Sequence, residues 1–504
     1  MENFMLALAE INLNYVLAII AGTVAGYVIG ALPGFSATMG VAIFVPFSYN
    51  MDVHTAFAFL IALYCSAVFA GSIPAVLIRT PGTPAAICTI YDGYPMAKRG
   101  EAGRALGLAC WASVIGGIFS AIMLIFLAEL IADFAISFGH YEYFMIAILG
   151  LSMVIGMSSE NMVKGLISMA IGLFVPLVGM DSMNGMARFT FGRVELLSGL
   201  QELPVMIGLF ALSEVFISFS AEEREEVSTQ KITGLFSGFK DIAKNKMLLL
   251  KSALIGTYLG ALPGVGSTTA AIIGYDQAKK SSKEPEKLGT GQPEGIIGPE
   301  CANNAVTGGA LIPLLALGIP GDPVTAILLG ALMIQGLQPG PLLFQENPVV
   351  VQGIYISVIL SYVAIFVFSI FSIKPIARLL SVKSNILSAF VLIFCVIGAY
   401  ALNNSYTDVL VALVFGLLGY WMRKDGYPLG PMTLALVLGR MIEQKLSVAL
   451  KLSGGSLLPF VTRPISLALL ILTVIVIVYS SVGVYKKSRQ QKSVVADNNA
   501  KKES

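Results

Sequence analysis

The chain has 504 residues, of which 56% are hydrophobic and 12% are charged, whereas ordinary soluble proteins carry about 25% charged residues. Its formal net charge is +2, so no global field attracts nucleic acid. This composition excludes a water-soluble enzyme and a disordered chain. It predicts an all-α polytopic membrane protein with about 10–12 membrane segments.

Histidines and cysteines provide little material for metal binding or acid–base catalysis. The two histidines, His54 and His140, lie far apart, and the five cysteines occur singly in apolar stretches. None has the paired spacing of a zinc site or of a disulfide framework. We therefore expect no enzyme activity, no metal centre and no organic cofactor.

Apolar segments mark the membrane spans, each of which needs about 20 mostly apolar residues. In chain order, the candidate spans are residues 105–131, 142–158, 164–180, 203–219, 348–372, 384–400, 407–421 and 462–484. Lys and Arg concentrate at residues 98–104, 224–251, 279–287, 374–383, 423–424 and in the tail after residue 485. Because cytoplasmic loops are enriched in Lys and Arg, these segments are predicted to be cytoplasmic and the N-terminus external.

Two further apolar segments, residues 12–49 and 247–275, are each interrupted by a Pro-Gly step. Both flanks of the first segment lack Lys and Arg and are predicted to be external, whereas both flanks of the second are predicted to be cytoplasmic. A segment that enters and leaves on the same side is a re-entrant hairpin. Its irregular turn is tolerated at membrane depth only where it is buried in protein or lines a wet cavity.

The two interrupted segments are copies of each other. Residues 30–34 and 260–264 both read Gly-Ala-Leu-Pro-Gly, and Ile-Pro followed by Pro-Gly-x-Pro occurs at residues 73–84 and again at 312–323. The loop at 48–55 lacks Lys and Arg, whereas its counterpart at 276–292 holds four lysines. Equivalent loops are therefore predicted on opposite sides of the membrane, so the repeats are inverted.

This pattern divides the chain into five parts. They are a first inverted repeat at 12–219, a cytoplasmic linker at 220–246, a second inverted repeat at 247–445, a C-terminal transmembrane helix at 462–484 and a cytoplasmic tail at 485–504. Each repeat is expected to hold a re-entrant hairpin, a Pro-Gly-broken helix and about four spanning helices.

Inverted repeats that carry Gly/Pro-broken segments at corresponding positions are typical of secondary transporters. A break in a membrane helix frees backbone N–H and C=O groups, which can hold an anionic substrate and a small cation. The alternative is that small and hydroxyl residues only allow close helix packing. The candidate substrate- or ion-binding residues at the hairpin turns are Pro33, Gly34, Ser36, Thr38, Pro263, Gly264, Gly266, Ser267 and Thr268, and those at the broken helices are Arg79, Pro81, Gly82, Thr83, Pro320, Gly321 and Asp322.

Arg79 and Asp322 lie within two residues of their Pro-Gly steps, where a charge is costly and often functional. One hypothesis is that Arg79 pairs with a substrate carboxylate and that Asp322 binds the coupling cation or balances Arg79. The alternatives are that Arg79 extends to the cytoplasmic face and that Asp322 caps the helix that follows it.

Asn303 and Asn304 add amide groups just over two turns before the second Ile-Pro step, and Glu300 begins the same apolar run. The amides are candidate ligands for substrate or Na⁺, with Na⁺ expected near Asn303, Asn304 and Asp322. Hydrogen bonding between helices is the alternative for the amides, and an interfacial position is the alternative for Glu300.

From about residue 15 to residue 465 the chain resembles the large transmembrane subunit of the tripartite tricarboxylate transporter family. The stretches that carry the resemblance are residues 30–34, 71–73, 81–84, 92–107, 188–192, 299–305, 313–321 and 438–440. The resemblance implies a multi-pass carrier of the bacterial inner membrane. Its implied partners are a small four-helix-type membrane subunit, a periplasmic solute-binding protein, the lipid bilayer and the organic anion substrate, with no nucleic acid.

The resemblance also implies import of a di- or tricarboxylate or a related organic anion by alternating access, driven by a Na⁺ or H⁺ gradient. Arg79 replaces a residue that is more often neutral and polar in the family, and Asp322 replaces one that is often a small hydroxyl residue. These departures put citrate in doubt as the substrate. The alternatives to a carrier are an organic-anion channel and an intramembrane enzyme.

Overall fold

The computed structural model describes residues 2–157, 162–181, 183–219, 238–379 and 384–479, and these residues are almost entirely helical. Up to the end of the first half, the helices are α1 (Glu2–Ala9), α2 (Leu13–Ala31), α3 (Ala37–Ser48), α4 (Val53–Ala70), α5 (Ser72–Ile78), α6 (Thr89–Met96), α7 (Ala102–Ala135), α8 (His140–Met157), α9 (Met162–Phe174), α10 (Glu202–Met206), α11 (Ser213–Phe219) and α12 (Phe239–Lys244). They continue with α13 (Lys246–Ala261), α14 (Gly266–Ser281), α15 (Glu294–Leu317), α16 (Pro323–Ile334), α17 (Pro341–Glu346), α18 (Pro348–Leu379), α19 (Ser384–Asn403), α20 (Tyr406–Lys424), α21 (Leu429–Leu452), α22 (Leu458–Thr462) and α23 (Pro464–Tyr479). A two-residue hairpin pairs β1 (Gly179–Met180) with β2 (Ala187–Arg188).

Six helical segments within the described residues are long and apolar enough to cross a membrane. They are Leu13–Ala31, Val53–Ile78, Thr89–Ala135, Glu202–Phe219, Pro348–Ser372 and Ile386–Asn403. Large apolar side chains such as Phe126 and Leu130 of α7 and Phe390 and Ile393 of α19 are exposed, as expected of surfaces that face lipid. The chain is therefore an all-α, multi-pass membrane protein.

Four of the eight predicted spans lie in helices that are long and apolar enough to cross a membrane, and the other four overlap helices outside that set. Residues 105–131 fall in α7, 203–219 in α10 and α11, 348–372 in α18 and 384–400 in α19. The spans at 142–158, 164–180, 407–421 and 462–484 correspond to α8, α9, α20 and α23, although residues 158 and 480–484 lie outside the described residues. Residues 53–78 were not predicted as a span, yet α4 and α5 form a continuous apolar helix of 26 residues.

The two interrupted segments form helix–turn–helix hairpins of the same local geometry. After α2, Leu32 takes an extended conformation with ψ 112°, and after α13 the equivalent Leu262 takes ψ 120°. Two residues later, Gly34 and Gly264 adopt positive φ values of 93° and 85°. Only glycine adopts such angles readily, so the repeated Leu-Pro-Gly sequence imposes the same turn in both copies.

Each hairpin packs its first helix against the helix that is broken later in the same copy. A Cβ atom at Gly26 would lie 2.5 Å from the carbonyl oxygen of Leu63, and one at Gly256 would lie 2.1 Å from that of Ala302. One turn on, Gly30 meets Ala67 and Gly260 meets Val306 in the same way. The partners in the second copy follow those in the first by the same 239 residues. Helix spacing this close needs glycine at the contact.

Contacts divide the chain into two units: Met1–Ile136 with Gln201–Trp421, and Ser137–Leu200 with Met422–Ser504. This division does not follow the repeat boundaries, because α7 and α18 in the first unit each pack on elements of the other copy. A Cβ at Gly116 of α7 would meet the carbonyl oxygen of Cys301 of α15 at 2.2 Å, and Tyr15 of α2 donates a hydrogen bond of 3.0 Å to the carbonyl of Gly353 of α18.

The predicted linker and tail are described only in part. Residues 220–237 of the linker and the tail at 485–504 lie outside the described residues. Within the linker, α12 is held to the start of α7 by an ion pair of 2.7 Å between Arg104 and Asp241.

The second unit has its own small core and ion pairs. Tyr141, Met145, Ala449 and Phe460 form the buried cluster. Glu142, whose side chain is 2% exposed, accepts a hydrogen bond of 2.6 Å from Arg463. Arg463 is 46% exposed, so only the carboxylate of this ion pair is buried.

Candidate functional site

The broken helices reach their breaks in the same way in both copies. α5 ends at Arg79, which adopts the left-handed conformation at φ 58°, and α15 ends at Gly318 with φ 70°. The Pro-Gly steps follow, and each places its glycine against the hairpin of its own copy. A Cβ at Gly82 would lie 2.0 Å from the carbonyl oxygen of Gly30, and one at Gly321 would lie 2.3 Å from that of Gly260.

Asp322 is the N-cap of α16 and is 2% exposed. Its Oδ1 accepts a hydrogen bond of 2.8 Å from the backbone N–H of Thr325, while the Thr325 hydroxyl accepts one of 2.9 Å from the N–H of Asp322. Its Oδ2 accepts a hydrogen bond of 2.6 Å from the hydroxyl of Tyr64 on α4. Asp322 therefore both caps a helix and links the break of the second copy to a helix of the first.

The reciprocal link also exists. Asn303 of α15 occupies the position 239 residues after Tyr64 and is fully buried. Its Nδ2 donates a hydrogen bond of 3.0 Å to the carbonyl oxygen of Ala85, which lies just after the Pro-Gly step of the first copy. Tyr64 and Asn303 therefore occupy equivalent positions of the two broken helices, and each forms a hydrogen bond near the break of the other copy.

Arg79 is not brought to Asp322. Arg79 is exposed, with its guanidinium carbon 6.0 Å from the centre of the Tyr94 ring, whereas Asp322 is buried against Tyr64 and Thr325. The ion pairs among the described residues do not join the two. Arg79 is equivalent to Gly318, and both residues form a helix C-cap in the left-handed conformation. This equivalence explains the positive φ angle of Arg79.

Arg79 opens onto a basic pocket of about 680 Å³ at the end of the first break. Lys98 and Arg99 supply two more positive charges, and the rings of Tyr91 and Tyr94 form part of the wall. Arg99 also donates hydrogen bonds to the carbonyl oxygens of Thr290 and Gly291. A pocket with three cationic side chains and aromatic walls suits an organic anion.

The loop that borders this pocket is fastened by a buried carboxylate. Asp92 of α6 is 0% exposed and accepts hydrogen bonds of 2.8 and 2.7 Å from the backbone N–H groups of Gly291 and Gln292. The N–H of Gly289 and the hydroxyl of Tyr275 also donate to it. Asp92 therefore positions the loop that supplies one side of the pocket.

The predicted residues of the two hairpin turns differ in exposure. In the first turn Pro33 is buried and Gly34 is exposed, and Ser36 caps α3 by accepting a hydrogen bond of 3.1 Å from the N–H of Met39. Ser36 and Thr38 are half-buried. The residues of the second turn are all half-buried: Pro263, Gly264, Gly266, Ser267 and Thr268. Both turns therefore hold candidate residues that are at least partly accessible.

Two buried hydroxyl groups near the first break have no hydrogen-bond partner among the described residues. They belong to Thr83, directly after the Pro-Gly step, and to Ser72, near the start of α5. An unpartnered buried hydroxyl is costly unless a ligand or water satisfies it. The sequence analysis included Thr83 as a candidate but not Ser72, although Ser72 lies in the stretch 71–73 that carries the family resemblance.

A cluster of fully buried polar side chains surrounds Glu300 of α15. Its Oε1 accepts a hydrogen bond from the hydroxyl of Thr89 of α6, and its Oε2 accepts bonds of 3.3 Å from Ser113 of α7 and 3.4 Å from Nδ2 of Asn303. Asn304 donates to Ser113 at 2.8 Å and to Oδ1 of Asn303 at 2.6 Å. Glu300 is 0% exposed, so it lies inside the protein rather than on its surface.

The three residues considered for Na⁺ fall into two clusters. Asn303 and Asn304 belong to the cluster of Glu300, whereas Asp322 is bound to Tyr64 and Thr325. The carboxyl groups of Glu300 and Asp322 both already accept hydrogen bonds from protein donors. The arrangement as a whole combines a cationic pocket, unpartnered hydroxyls and a buried carboxyl group around the first break, which are the groups needed to bind an anion and a cation.

Comparison with known proteins identifies the family. The model of the tripartite tricarboxylate transporter TctA family matches residues 16–434. An uncharacterized 52.8 kDa protein of the TAR-I ttuC′ 3′ region of Agrobacterium vitis is 33% identical over 467 residues, which cover 93% of this chain and 92% of that protein. An uncharacterized protein of the TAR-II ttuC′ 3′ region of the same organism is 36% identical over 242 residues, or 48% of this chain and all of that protein. No solved structure matches the chain.

The matched region contains both hairpins, both broken helices, the basic pocket and the buried cluster. The family is one of transporters, and the described helices include six that are long enough to span a membrane. The chain belongs to the TctA family and is a component of a tripartite tricarboxylate transporter.

Proposed function

We propose that the chain is the large membrane subunit of a binding-protein-dependent secondary transporter. It imports a di- or tricarboxylate or a related organic anion by alternating access, coupled to Na⁺ or H⁺. The observation that carries this proposal is the crossed pair of contacts from Tyr64 to Asp322 and from Asn303 to the Ala85 carbonyl. Each copy thereby contacts the break of the other, an arrangement that supports alternating access between two equivalent states.

The two copies are proposed to be inverted repeats, with their hairpins re-entering the membrane from opposite sides. Support comes from the opposite Lys and Arg content of equivalent loops and from the matching contacts of Gly30 with Gly82 and of Gly260 with Gly321.

The proposed location is the bacterial inner membrane. The proposed partners are a small four-helix-type membrane subunit and a periplasmic solute-binding protein that delivers the anion. The basic pocket of Arg79, Lys98 and Arg99 borders the Lys-rich loop that is predicted to be cytoplasmic, so we assign it to anion exit.

Reconstitution of the three proteins in liposomes tests the proposal. We expect saturable uptake of at least one labelled di- or tricarboxylate that needs both the binding protein and an inward Na⁺ or H⁺ gradient. Uptake that needs neither would indicate a channel. Conversion of a substrate without transport would indicate an enzyme.

Replacement of Arg79 separates its backbone role from its charge. Arg79→Gly is expected to raise the free energy of unfolding by about 1 kcal/mol, because glycine removes the strain of a non-glycine residue in the left-handed region. The same variant is expected to lower uptake, because the pocket loses a cation. Both effects are measured by thermal unfolding in detergent and by uptake in liposomes.

Arg79→Ala is the matched control, since it removes the guanidinium but keeps a side chain at φ 58°. It should lower uptake as much as Arg79→Gly without the gain in stability. Normal uptake by both variants would contradict the role of Arg79 in anion exit and leave it only as a helix C-cap.

A further inference from the structure

We infer that Glu300 takes up the proton that drives transport, and that its protonation is transmitted to the first break through Asn303. This inference rests on the proposed function and deepens it by naming the coupling ion and the group that binds it. The carboxyl group is fully buried among α6, α7 and α15, and the capping and packing roles described above do not involve it. A carboxyl group buried in a membrane protein without such a role is a candidate for ion coupling.

The polar groups around Glu300 are donors with fixed directions. Asn303 uses one N–H for the carbonyl oxygen of Ala85 and the other for Glu300, while its Oδ1 accepts from Asn304. A flipped amide would set its oxygen against the Ala85 carbonyl, so the orientation is determined. Ser113 accepts from Asn304 and therefore points its own proton at Glu300.

This arrangement fits a proton better than Na⁺. A sodium ion needs several oxygen lone pairs, whereas Asn303 and Ser113 present hydrogen atoms to the carboxyl group. A proton needs only one neighbouring oxygen that can change from donor to acceptor. The hydroxyl of Thr89 is such an oxygen, because it rotates freely and carries both a proton and lone pairs.

The groups that face the cluster from the packed helices are neutral or already bonded. Among the described ion pairs, none joins a Lys or Arg to Glu300, and Lys251 of α13 is exposed. Asp92 of α6 is held by the 289–292 loop, and Tyr64 of α4 by Asp322. Other titratable groups on these elements include Cys65 of α4, Cys88 just before α6, Cys110 of α7, Tyr275 of α14, Cys301 of α15 and Tyr362 of α18.

The proposed step is a single proton transfer. A proton from the aqueous side adds to Oε1 of Glu300, and the new O–H donates to Thr89, which formerly donated to it. The carboxyl group loses its negative charge, so its hydrogen bonds from Asn303 and Ser113 weaken from charge-assisted to neutral. Asn303 then holds the Ala85 carbonyl less firmly in place, which couples protonation to the geometry of the first break.

The experiment uses the complete transporter in liposomes and the labelled di- or tricarboxylate that the wild type takes up best. Uptake is measured with an inward proton gradient, with a Na⁺ gradient at equal pH on both sides, and with neither. The wild type is expected to respond to the proton gradient. In Glu300→Gln, which mimics the protonated state, the ratio of uptake with and without the proton gradient should fall to unity while exchange of labelled for unlabelled substrate continues.

Glu294→Gln is the matched control, because Glu294 begins the same helix and is only half-buried. It should respond to the gradient as the wild type does. A wild type driven only by Na⁺, or a Glu300→Gln variant that responds normally to the proton gradient, would overturn the inference and leave the proposed function intact. A wild type without any uptake would overturn the proposed function, and the inference with it.

Thr89→Val provides a second test if Glu300→Gln does not fold. It removes the hydroxyl that donates to anionic Glu300 and accepts from protonated Glu300. The anionic form loses a charge-assisted bond and the protonated form only a neutral one, so the anionic form is destabilised more. The external pH at which uptake is half-maximal should then shift upward. An unchanged pH profile in a folded Thr89→Val variant would contradict the inference.

Discussion

Gly82→Ala is expected to destabilise the protein by about 3 kcal/mol and to abolish uptake. The new methyl group would lie 2.0 Å from the carbonyl oxygen of Gly30 and 2.9 Å from the Cα atom of Gly71. Both obstacles are backbone atoms, which cannot move aside as the end of a flexible side chain can. The contact joins the first hairpin to the first break, so its loss displaces both.

Gly321→Ala is expected to have an effect of the same size, because it would place a methyl group 2.3 Å from the carbonyl oxygen of Gly260. Thermal unfolding in detergent and uptake in liposomes measure both variants. Gly430→Ala is the control, since no atom lies within 4 Å of its added methyl group. If Gly82→Ala or Gly321→Ala had the same unfolding temperature and the same uptake as Gly430→Ala, the hairpin of that copy would not pack closely on its break.

The hairpins and the breaks could be predicted from the sequence because local chain chemistry specifies them. Leu-Pro-Gly requires a residue with positive φ, and the turns at Gly34 and Gly264 have nearly the same angle. The constant offsets between copies also indicated which residues are equivalent. Applied to Arg79, the same offset leads to Gly318, so its left-handed cap was available from the sequence.

The links between the copies could not be predicted, because they depend on tertiary packing rather than on local pattern. Residues 64–67 differ from a more glycine-rich pattern in the family, but the sequence gives Tyr64 no partner, whereas in the structure its hydroxyl reaches Asp322. Glu300 stands beside a Lys-rich insertion, which favoured an interfacial position. Its burial follows only from the packing of α6 and α7 on α15.

The domain boundaries predicted from the sequence repeats differ from those of the contact units. Repeats in the sequence predicted divisions at residues 219 and 247, whereas contacts group residues 1–136 with 201–421. The physical reason is that each copy buries its glycine-lined helices partly against the other copy. The sequence repeat therefore shows which helices are copies of each other, whereas the contacts show which helices bury their apolar surfaces together.

Tyr64→Phe is expected to destabilise the protein by about 2 kcal/mol and to reduce uptake, because the buried carboxylate of Asp322 loses its donor to Oδ2. Asp322→Asn keeps the oxygen that caps α16 and removes the charge, so it tests the charge separately from the cap. Unfolding of the single and double variants gives the coupling between the two side chains. We expect Tyr64→Phe to be less harmful when it is combined with Asp322→Asn, since no buried charge then lacks its donor.

Tyr355→Phe is the matched control, because the buried Tyr355 hydroxyl has no hydrogen-bond partner among the described residues. Removal of that hydroxyl should leave stability unchanged or slightly higher, since an unpartnered buried polar group is itself unfavourable. A larger loss for Tyr64→Phe than for Tyr355→Phe therefore measures the bond to Asp322 rather than the loss of a phenol. Additive effects of Tyr64→Phe and Asp322→Asn, together with normal uptake, would mean that this link between the copies contributes neither to the fold nor to alternating access.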